Sequence, residues 1–456
     1  MKYYKVLVFS LLFSGVFGQP YTIEVTIKYW GKSPLRLYAL RGDSKDFIDS
    51  ARTDTAGYAK FTIKEKLSSG LYRIHYTAQQ YFNLIINNES SVVLKTHPMD
   101  VIDSMRVINS LENEIYFDFM QHEWKYQHKI NLLNPLLDHY PEDGKFMDEV
   151  VKKYESLQKE HQKFCNDKLK RYPDTYAAKI IKAHCFPAVD PELGGAERNA
   201  FMKEHFFDML DMTDKGLLNS NVYNELAISY ISYYRDDNLN KKQQEEQFII
   251  AVRRILDRAR ENTAVYEFLF DYLFKGFDHF NYTGVLEYMV EHLNPEETCQ
   301  NEDRKTTIQK RIDHYKKMAT GKTAPEIIIP DTNNQEVVYT DFSTEYTLVI
   351  FWSTSCPHCT STLPKIKEYL GKMNEPDIQV LAISLDTSRS DWMEYIRKEN
   401  LTSWFHGSEL AGWDSYMADA YNIYATPTMF ILDNKRKILS KPVSFNELKD
   451  SLEELQ

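Results

Sequence analysis

The most informative segment in the last third of this chain is FWSTSCPHCTSTLP, residues 351–364. Its two cysteines, Cys356 and Cys359, bracket Pro357 and His358. The apolar run just before them predicts a buried strand, and a helix is predicted to begin at Pro357. A C-x-x-C between a strand and a helix is typical of a redox dithiol site.

A C-x-x-C can also be half of a zinc site or a structural disulfide. Zinc requires a second cluster of ligands, whereas the other cysteines, Cys165, Cys185 and Cys299, are single. We therefore predict neither a metal site nor a cofactor. An odd number of cysteines cannot all pair internally, and a disulfide between Cys165 and Cys185 stays open.

The strand–helix context assigns different roles to the two cysteines. Unpaired N–H groups at a helix N-terminus stabilise an anion, so we expect Cys356 to be the attacking thiolate. Cys359, one turn later, should face inward and resolve the mixed disulfide. Beside the thiolate, the Pro357-His358 dipeptide should shift the couple towards the oxidising side, with His358 in the tuning role.

Composition limits the partners. The 456-residue chain is too long for one core, and its net charge of −11 makes nucleic acid and anionic membranes poor partners. Residues 1–18 combine two lysines with a short apolar run, which predicts a cleaved signal peptide and export to the periplasm. Its removal would lower the charge by two, to −13. We expect no membrane span in the mature protein.

Three regions of different periodicity follow. Residues 20–97 contain short alternating segments such as TIEVTIKYW, which predict an antiparallel β-sandwich. Residues 98–318 carry apolar residues three and four apart and predict a helical domain. Its aromatic stretch at 266–282 could form a peptide-binding face, but packing between helices is favoured. In 322–456 strands and helices alternate, which predicts an α/β domain.

A second motif lies far downstream, in YATPTMFILD (424–433), where Pro427 precedes a strand. The two motifs together resemble the thioredoxin superfamily. An ordered set of motifs narrows the resemblance to the exported TlpA/ResA-like branch: G-K-x-A-P at 321–325, the strand–C-x-x-C–Pro run, ISLD at 383–386 and Y-N-I-x-x-T-P-T-x-F-I-L-D at 421–433. It implies that Pro427 takes the cis-proline position beside the C-x-x-C, that the Thr426 backbone pairs with substrate, and that Trp352 borders the same groove.

The sequence departs from that branch at several positions. Thr362 stands where a buried glutamate is usual, Ile350 where thioredoxin itself has an aspartate, and Ser355 where a tryptophan usually precedes the first cysteine. A proton-relay acid is therefore not evident, and Asp386 is a weak substitute candidate.

These observations predict a multidomain α+β protein that works as a periplasmic thiol–disulfide oxidoreductase on protein thiols and disulfides. The resemblance to this branch favours a reductase whose active-site disulfide is reduced by an upstream redox donor, such as a membrane thiol–disulfide transducer. A peroxiredoxin is disfavoured, because P-x-x-x-T-x-x-C would need a proline at Val349 and a threonine at Ser353. A partner-binding scaffold with an accessory thioredoxin-like domain remains the rival interpretation.

Overall fold

A computed structural model describes residues 21–455 apart from 78, 142–143, 294–311, 313–314, 339–341, 343 and 374–376. The chain forms two compact units, Met1–Tyr233 and Tyr234–Gln456. This division does not coincide with the predicted boundaries at 97 and 318, which stay predictions. The predicted signal peptide and Cys299 lie outside the described residues.

The first unit begins with strands whose buried and exposed residues alternate, as expected for sheets with one covered face. The strands are β1 (Tyr21–Ile27), β2 (Pro34–Arg41), β3 (Ser44–Arg52), β4 (Tyr58–Ile63), β5 (Gly70–His75), β6 (Tyr81–Ile86), β7 (Ser91–Thr96) and β8 (Arg106–Asn109). They form two four-stranded sheets, with the orders β4-β1-β7-β8 and β3-β2-β5-β6.

The prediction of a purely antiparallel sandwich is wrong in one pairing. Strands β1 and β7 run parallel, with Ile23 opposite Val92. Parallel neighbours require a long crossover, and here β2 to β6 supply it. Period-two alternation reports which face is buried but not the direction of the neighbouring strand.

Amphipathic helices follow in the first unit. The first begins where the Ser110 hydroxyl accepts a hydrogen bond from the Asn113 N–H at 3.0 Å, a side-chain cap for an otherwise unpaired donor. Cys165 in the second of these helices and Cys185, the residue directly after the third, form a disulfide. The helices are α1 (Leu111–His139), α2 (Gly144–Arg171), α3 (Tyr176–His184), α4 (Gly195–His205) and α5 (Val222–Ser232).

The second unit begins with three helices, α6 (Lys241–Ala259), α7 (Thr263–His279) and α8 (Thr283–His292). In the aromatic stretch that covers α7, Phe270 and Phe274 are almost fully buried, and their rings stack at a centroid distance of 5.9 Å. The favoured interpretation of this stretch as helix-packing core is therefore confirmed for these residues.

A five-stranded sheet with the order β13-β12-β11-β14-β15 forms the rest of the second unit, and a separate two-stranded ribbon pairs β9 with β10. Strand β11 pairs in parallel with β12 and antiparallel with β14. The elements are β9 (Ile328–Pro330), β10 (Glu336–Val338), β11 (Tyr346–Trp352), α9 (Pro357–Leu370), β12 (Ile378–Ser384), α10 (Arg389–Lys398), β13 (Phe405–Gly407), α11 (Tyr416–Ala420), β14 (Thr428–Asp433), β15 (Ile438–Ser440) and α12 (Phe445–Glu453).

Two apolar layers cover this sheet, because every residue of β11 after Tyr346 is buried. Leu348 and Ile350 face a layer that contains Ile366 of α9, whereas Val349 and Phe351 face the other layer. The α/β alternation and the parallel β11–α9–β12 crossover are as predicted, and the crossover places the C-x-x-C at the end of the central strand.

Candidate active site

The first cysteine occupies the N-cap of helix α9. The half-buried Cys356 Sγ accepts a hydrogen bond from the Cys359 backbone N–H at 3.1 Å. This N–H has no partner within the helix, and it carries part of the positive end of the helix dipole. The local fold therefore directs a stabilising donor at Cys356 Sγ, where a thiolate would form.

The second cysteine faces inward. Cys359 has no solvent-exposed surface and packs with Trp352 and Leu363 beneath the helix. Burial raises the pKa of the Cys359 thiol to about 12, and its hydrogen bond with Cys356 adds to the rise. Both cysteines are free thiols in the structure, so the site is in its dithiol form, with Cys359 held protonated at neutral pH.

The loop that contains Pro427 lies against Cys356. The Thr426–Pro427 peptide bond is cis, and the Cys356 thiol donates a hydrogen bond to the Thr426 carbonyl at 3.2 Å. A carbonyl oxygen accepts from a thiol but repels a thiolate. The loop carbonyl therefore favours the protonated thiol of Cys356, whereas the helix N-terminus favours its thiolate.

A buried carboxylate holds the segment that leads into the C-x-x-C. Asp386, which is 6% exposed, follows β12. It accepts hydrogen bonds from the Ser353 hydroxyl at 2.8 Å, from the Thr354 hydroxyl at 2.8 Å and from the Thr354 N–H at 3.0 Å. The Ser384 hydroxyl donates to its other oxygen at 2.8 Å. The Asp386 bonds anchor the loop, and none of them reaches either cysteine.

The two residues between the cysteines are exposed. In the part of the chain that the structure describes, the His358 ring makes no hydrogen bond to Cys356, so any tuning would act through charge. His279, at the end of α7, lies close enough to His358 for their charges to interact. Burial lowers the pKa of His279, Asp278 opposes that shift and His358 adds to it.

The prediction that Trp352 borders a substrate groove is wrong. Its side chain is fully buried, and its ring packs against Tyr395 at a centroid distance of 5.2 Å. Trp352 is the last residue of β11, and its side chain points into the layer beneath α9. It supports the dithiol helix from below and cannot touch a substrate.

The other cysteine pair lies in the first unit. Cys165 and Cys185, both buried, form a disulfide whose Cα atoms are 6.6 Å apart. His161 Nε2 lies 3.6 Å from Cys165 Sγ, so the three side chains bring potential metal-ligating atoms within 4.8 Å of one another. Because the sulfurs are bonded to each other, they are not available as thiolate ligands in this state.

The C-terminal part of the chain is similar to known proteins. The model of the AhpC/TSA family matches residues 320–441. The thiol-disulfide oxidoreductase ResA of Bacillus cereus is 23% identical over 152 residues, which cover 33% of this chain and 83% of the relative. ResA of Geobacillus thermodenitrificans is 22% identical over 142 residues, or 30% of this chain and 79% of the relative.

Solved structures give similar matches. A thiol-disulfide oxidoreductase from Bacteroides fragilis is 28% identical, with 30% of this chain and 100% of that one covered at a TM-score of 0.27. A thioredoxin-like protein from Bacteroides caccae is 19% identical, with 59% and 98% covered at a TM-score of 0.38.

The sequence matches and the site define a class of protein. The chain carries a thioredoxin-like domain of the thioredoxin superfamily. More narrowly, it is a thiol–disulfide oxidoreductase similar to the ResA proteins. Among the described residues, none of the helices combines the length and the apolar character that a membrane crossing needs.

The sequence alone does not show which groups two acidic residues near the site contact. Asp386 was a candidate relay acid, and its ISLD context marks only the end of a strand. Asp278 lies among aromatic residues in FDHF, where nothing points to the dithiol. Both matter through contacts with residues distant in sequence, which no local pattern reports.

Proposed function

We propose that this protein is a periplasmic thiol–disulfide oxidoreductase that reduces disulfides in protein substrates through Cys356 and Cys359. The supporting observation is the asymmetry of the pair. Cys356 Sγ is half-buried and accepts the Cys359 N–H at 3.1 Å, whereas the Cys359 thiol is buried with a pKa raised to about 12 by burial. Cys356 is therefore suited to attack the substrate, and Cys359 is suited to resolve the mixed disulfide afterwards.

In this mechanism the Cys356 thiolate attacks one sulfur of a substrate disulfide. A mixed disulfide forms, and the other substrate sulfur leaves as a thiolate that takes up a proton. Cys359 then loses its proton and attacks Cys356 Sγ, which releases the second substrate thiol. Two electrons have passed to the substrate, and Cys356 and Cys359 end as a disulfide that an upstream dithiol donor must reduce.

The Thr426 backbone and cis-Pro427 would shape the groove for the substrate. The Thr426 carbonyl already accepts a hydrogen bond from Cys356, so an extended segment that pairs with this backbone would bring its sulfur close to Cys356. Approach of substrate would compete with the thiol–carbonyl bond. Loss of that bond favours the thiolate at the moment of attack.

The experiment is reduction of insulin disulfides, followed by turbidity, with dithiothreitol as the electron donor. Cys356→Ala should abolish the rate above background. The matched control replaces the other pair, as Cys165→Ala with Cys185→Ala, and should retain activity. Full activity of Cys356→Ala would refute the proposal.

A Cys359→Ser variant separates the enzyme from the scaffold interpretation. Without the resolving thiol, the mixed disulfide should accumulate, so client proteins should be captured covalently and released by a reductant. Tight capture that survives the reductant, together with no covalent adduct, would favour a scaffold instead.

A peroxidase is the weaker candidate, although the matched family model bears the AhpC/TSA description. Val349 occupies the position where the peroxiredoxin motif needs proline, and it is fully buried within β11. We expect no consumption of hydrogen peroxide above the rate of a free dithiol.

A further inference from the structure

Helix α7 contributes one buried carboxylate to the loops beside the dithiol. Asp278, 7% exposed, accepts the Tyr424 hydroxyl at 2.5 Å on Oδ2 and the Lys441 ammonium at 3.3 Å on Oδ1. The Lys441 side chain is itself 15% exposed. One carboxylate thus joins the segments before β14 and after β15.

Tyr424, one partner of Asp278, belongs to the loop that contacts the active-site sulfur. Tyr424 is two residues before Thr426, whose carbonyl accepts the Cys356 thiol at 3.2 Å. In the same loop the Thr428 hydroxyl donates to the Ala425 carbonyl at 2.8 Å, which ties the short segment together. This short segment therefore connects the Tyr424 ring to the carbonyl that covers Cys356.

A cleft marks the same region of the surface. Asp278, His279, Tyr424, Pro427 and Lys441 are among the residues that line it. Asp278 thus lines the same cleft as the cis-proline and is also joined to the loop that leads to it.

We propose that Asp278 is a positioning residue of the dithiol site, which holds the loop from Tyr424 to Pro427 in place over Cys356. The proposal rests on the proposed function for its activity measurement only. A buried ion pair that loses one partner leaves an uncompensated charge, so removal of the Asp278 charge weakens the contacts with the Lys441 ammonium and the Tyr424 hydroxyl and loosens the loop.

The test compares Asp278→Asn with Asp257→Asn in the full-length chain. Asp257 lies on α6 in an exposed ion pair with Arg253, so it matches the chemical change away from the dithiol. In Asp278→Asn we expect kcat/KM for insulin reduction to fall at least tenfold. A misplacement of about 1 Å in a reacting pair can cost on the order of 100-fold. Asp257→Asn should stay within twofold of wild type.

A second measurement does not depend on catalysis. Iodoacetamide alkylation of the dithiol form, mapped by mass spectrometry, gives separate rates for Cys356 and Cys359. In Asp278→Asn the Cys356 rate should rise at least threefold, because the carbonyl that covers the sulfur and repels its thiolate has moved. Cys359 should stay protected.

Tyr424→Phe provides a milder variant, because it removes only one hydroxyl. It should change the Cys356 rate in the same direction, and the double variant with Asp278→Asn should go no further than Asp278→Asn alone. Additive effects would show that Asp278 and Tyr424 act independently and would overturn the proposal.

Two other results would also overturn it. One is an unchanged Cys356 alkylation rate in Asp278→Asn. The other is equal alkylation of Cys356 and Cys359 in Asp278→Asn, which would show that the Asp278 carboxylate only stabilises the fold. If wild-type protein fails to reduce insulin, the proposed function fails, whereas the alkylation rates still decide the role of Asp278.

Discussion

The loop before the C-x-x-C depends on the charge of one buried carboxylate, and Asp386→Asn isolates that charge. The substitution preserves size and leaves one carbonyl oxygen, which can still accept from Ser353 and Thr354. It replaces the second oxygen with an amide that offers the Ser384 hydroxyl a donor instead of an acceptor.

The magnitude follows from the hydrogen bonds. A bond to a charged group contributes about 1.5–3 kcal/mol, against about 1 kcal/mol for a neutral pair. Three donors facing one Asp386 oxygen lose that difference, at about 1 kcal/mol each. Ser384 can rotate, so its cost is small. We expect the second unit to lose about 3 kcal/mol of unfolding free energy.

The assay is pulse labelling of Cys359 with a maleimide across a urea gradient, read by mass spectrometry. Cys359 has no exposed surface in the folded protein, so its labelling midpoint reports unfolding of this unit rather than of the first. Asp377→Asn, on an exposed residue just before β12, is the control and should shift the free energy by less than about 0.5 kcal/mol.

The same variant should reduce insulin at least tenfold more slowly, because Ser353 and Thr354 set the position from which α9 begins. A labelling midpoint within the error of wild type would show that the loop does not depend on the carboxylate charge.

Three further predictions concern other parts of the chain. Replacement of Cys165 and Cys185 by alanine should lower the unfolding free energy of the first unit by about 3 kcal/mol in urea denaturation, because the disulfide closes a loop with a sequence separation of 20; an equal midpoint for oxidised wild type and variant would contradict this. Burial lowers the pKa of His161 to about 4. As the pH falls, His161 therefore takes up a proton near pH 6.5 in the unfolded chain but only near pH 4 in the folded chain. Stability should therefore fall by roughly 2–3 kcal/mol between pH 6.5 and 4, and His161→Leu should remove this component of the slope in urea titrations at both pH values. His358→Gly should make the Cys356–Cys359 couple more reducing in a glutathione titration, and an unchanged potential would exclude a tuning role.

Much of the second unit was predictable because its signals are local. The buried run of β11, the helix start at Pro357 and the strand after Pro427 each occupy fewer than ten consecutive residues, and the structure contains all three. The inward face of Cys359 followed from its place one helical turn after Cys356. These features depend on periodicity and on helix termini, which a single sequence displays directly.

Other features were beyond the reach of local patterns. Trp352 was expected beside substrate, but the pleat of a strand covered on both faces turns its ring into the core. The parallel pairing of β1 with β7 depends on the path of the five intervening strands. The Cys165–Cys185 bond depends on how α2 and α3 pack.

One sequence was enough to predict an asymmetric dithiol, because a C-x-x-C between a buried strand and a helix N-terminus creates one wherever that local fold occurs. The surroundings of the dithiol, in contrast, depend on tertiary contacts. Asp386 lies 33 residues beyond Ser353, and Asp278 lies 146 residues before Tyr424. A hydrogen bond requires contact within about 3 Å, and at such separations only the folded chain determines which carboxylate meets which donor.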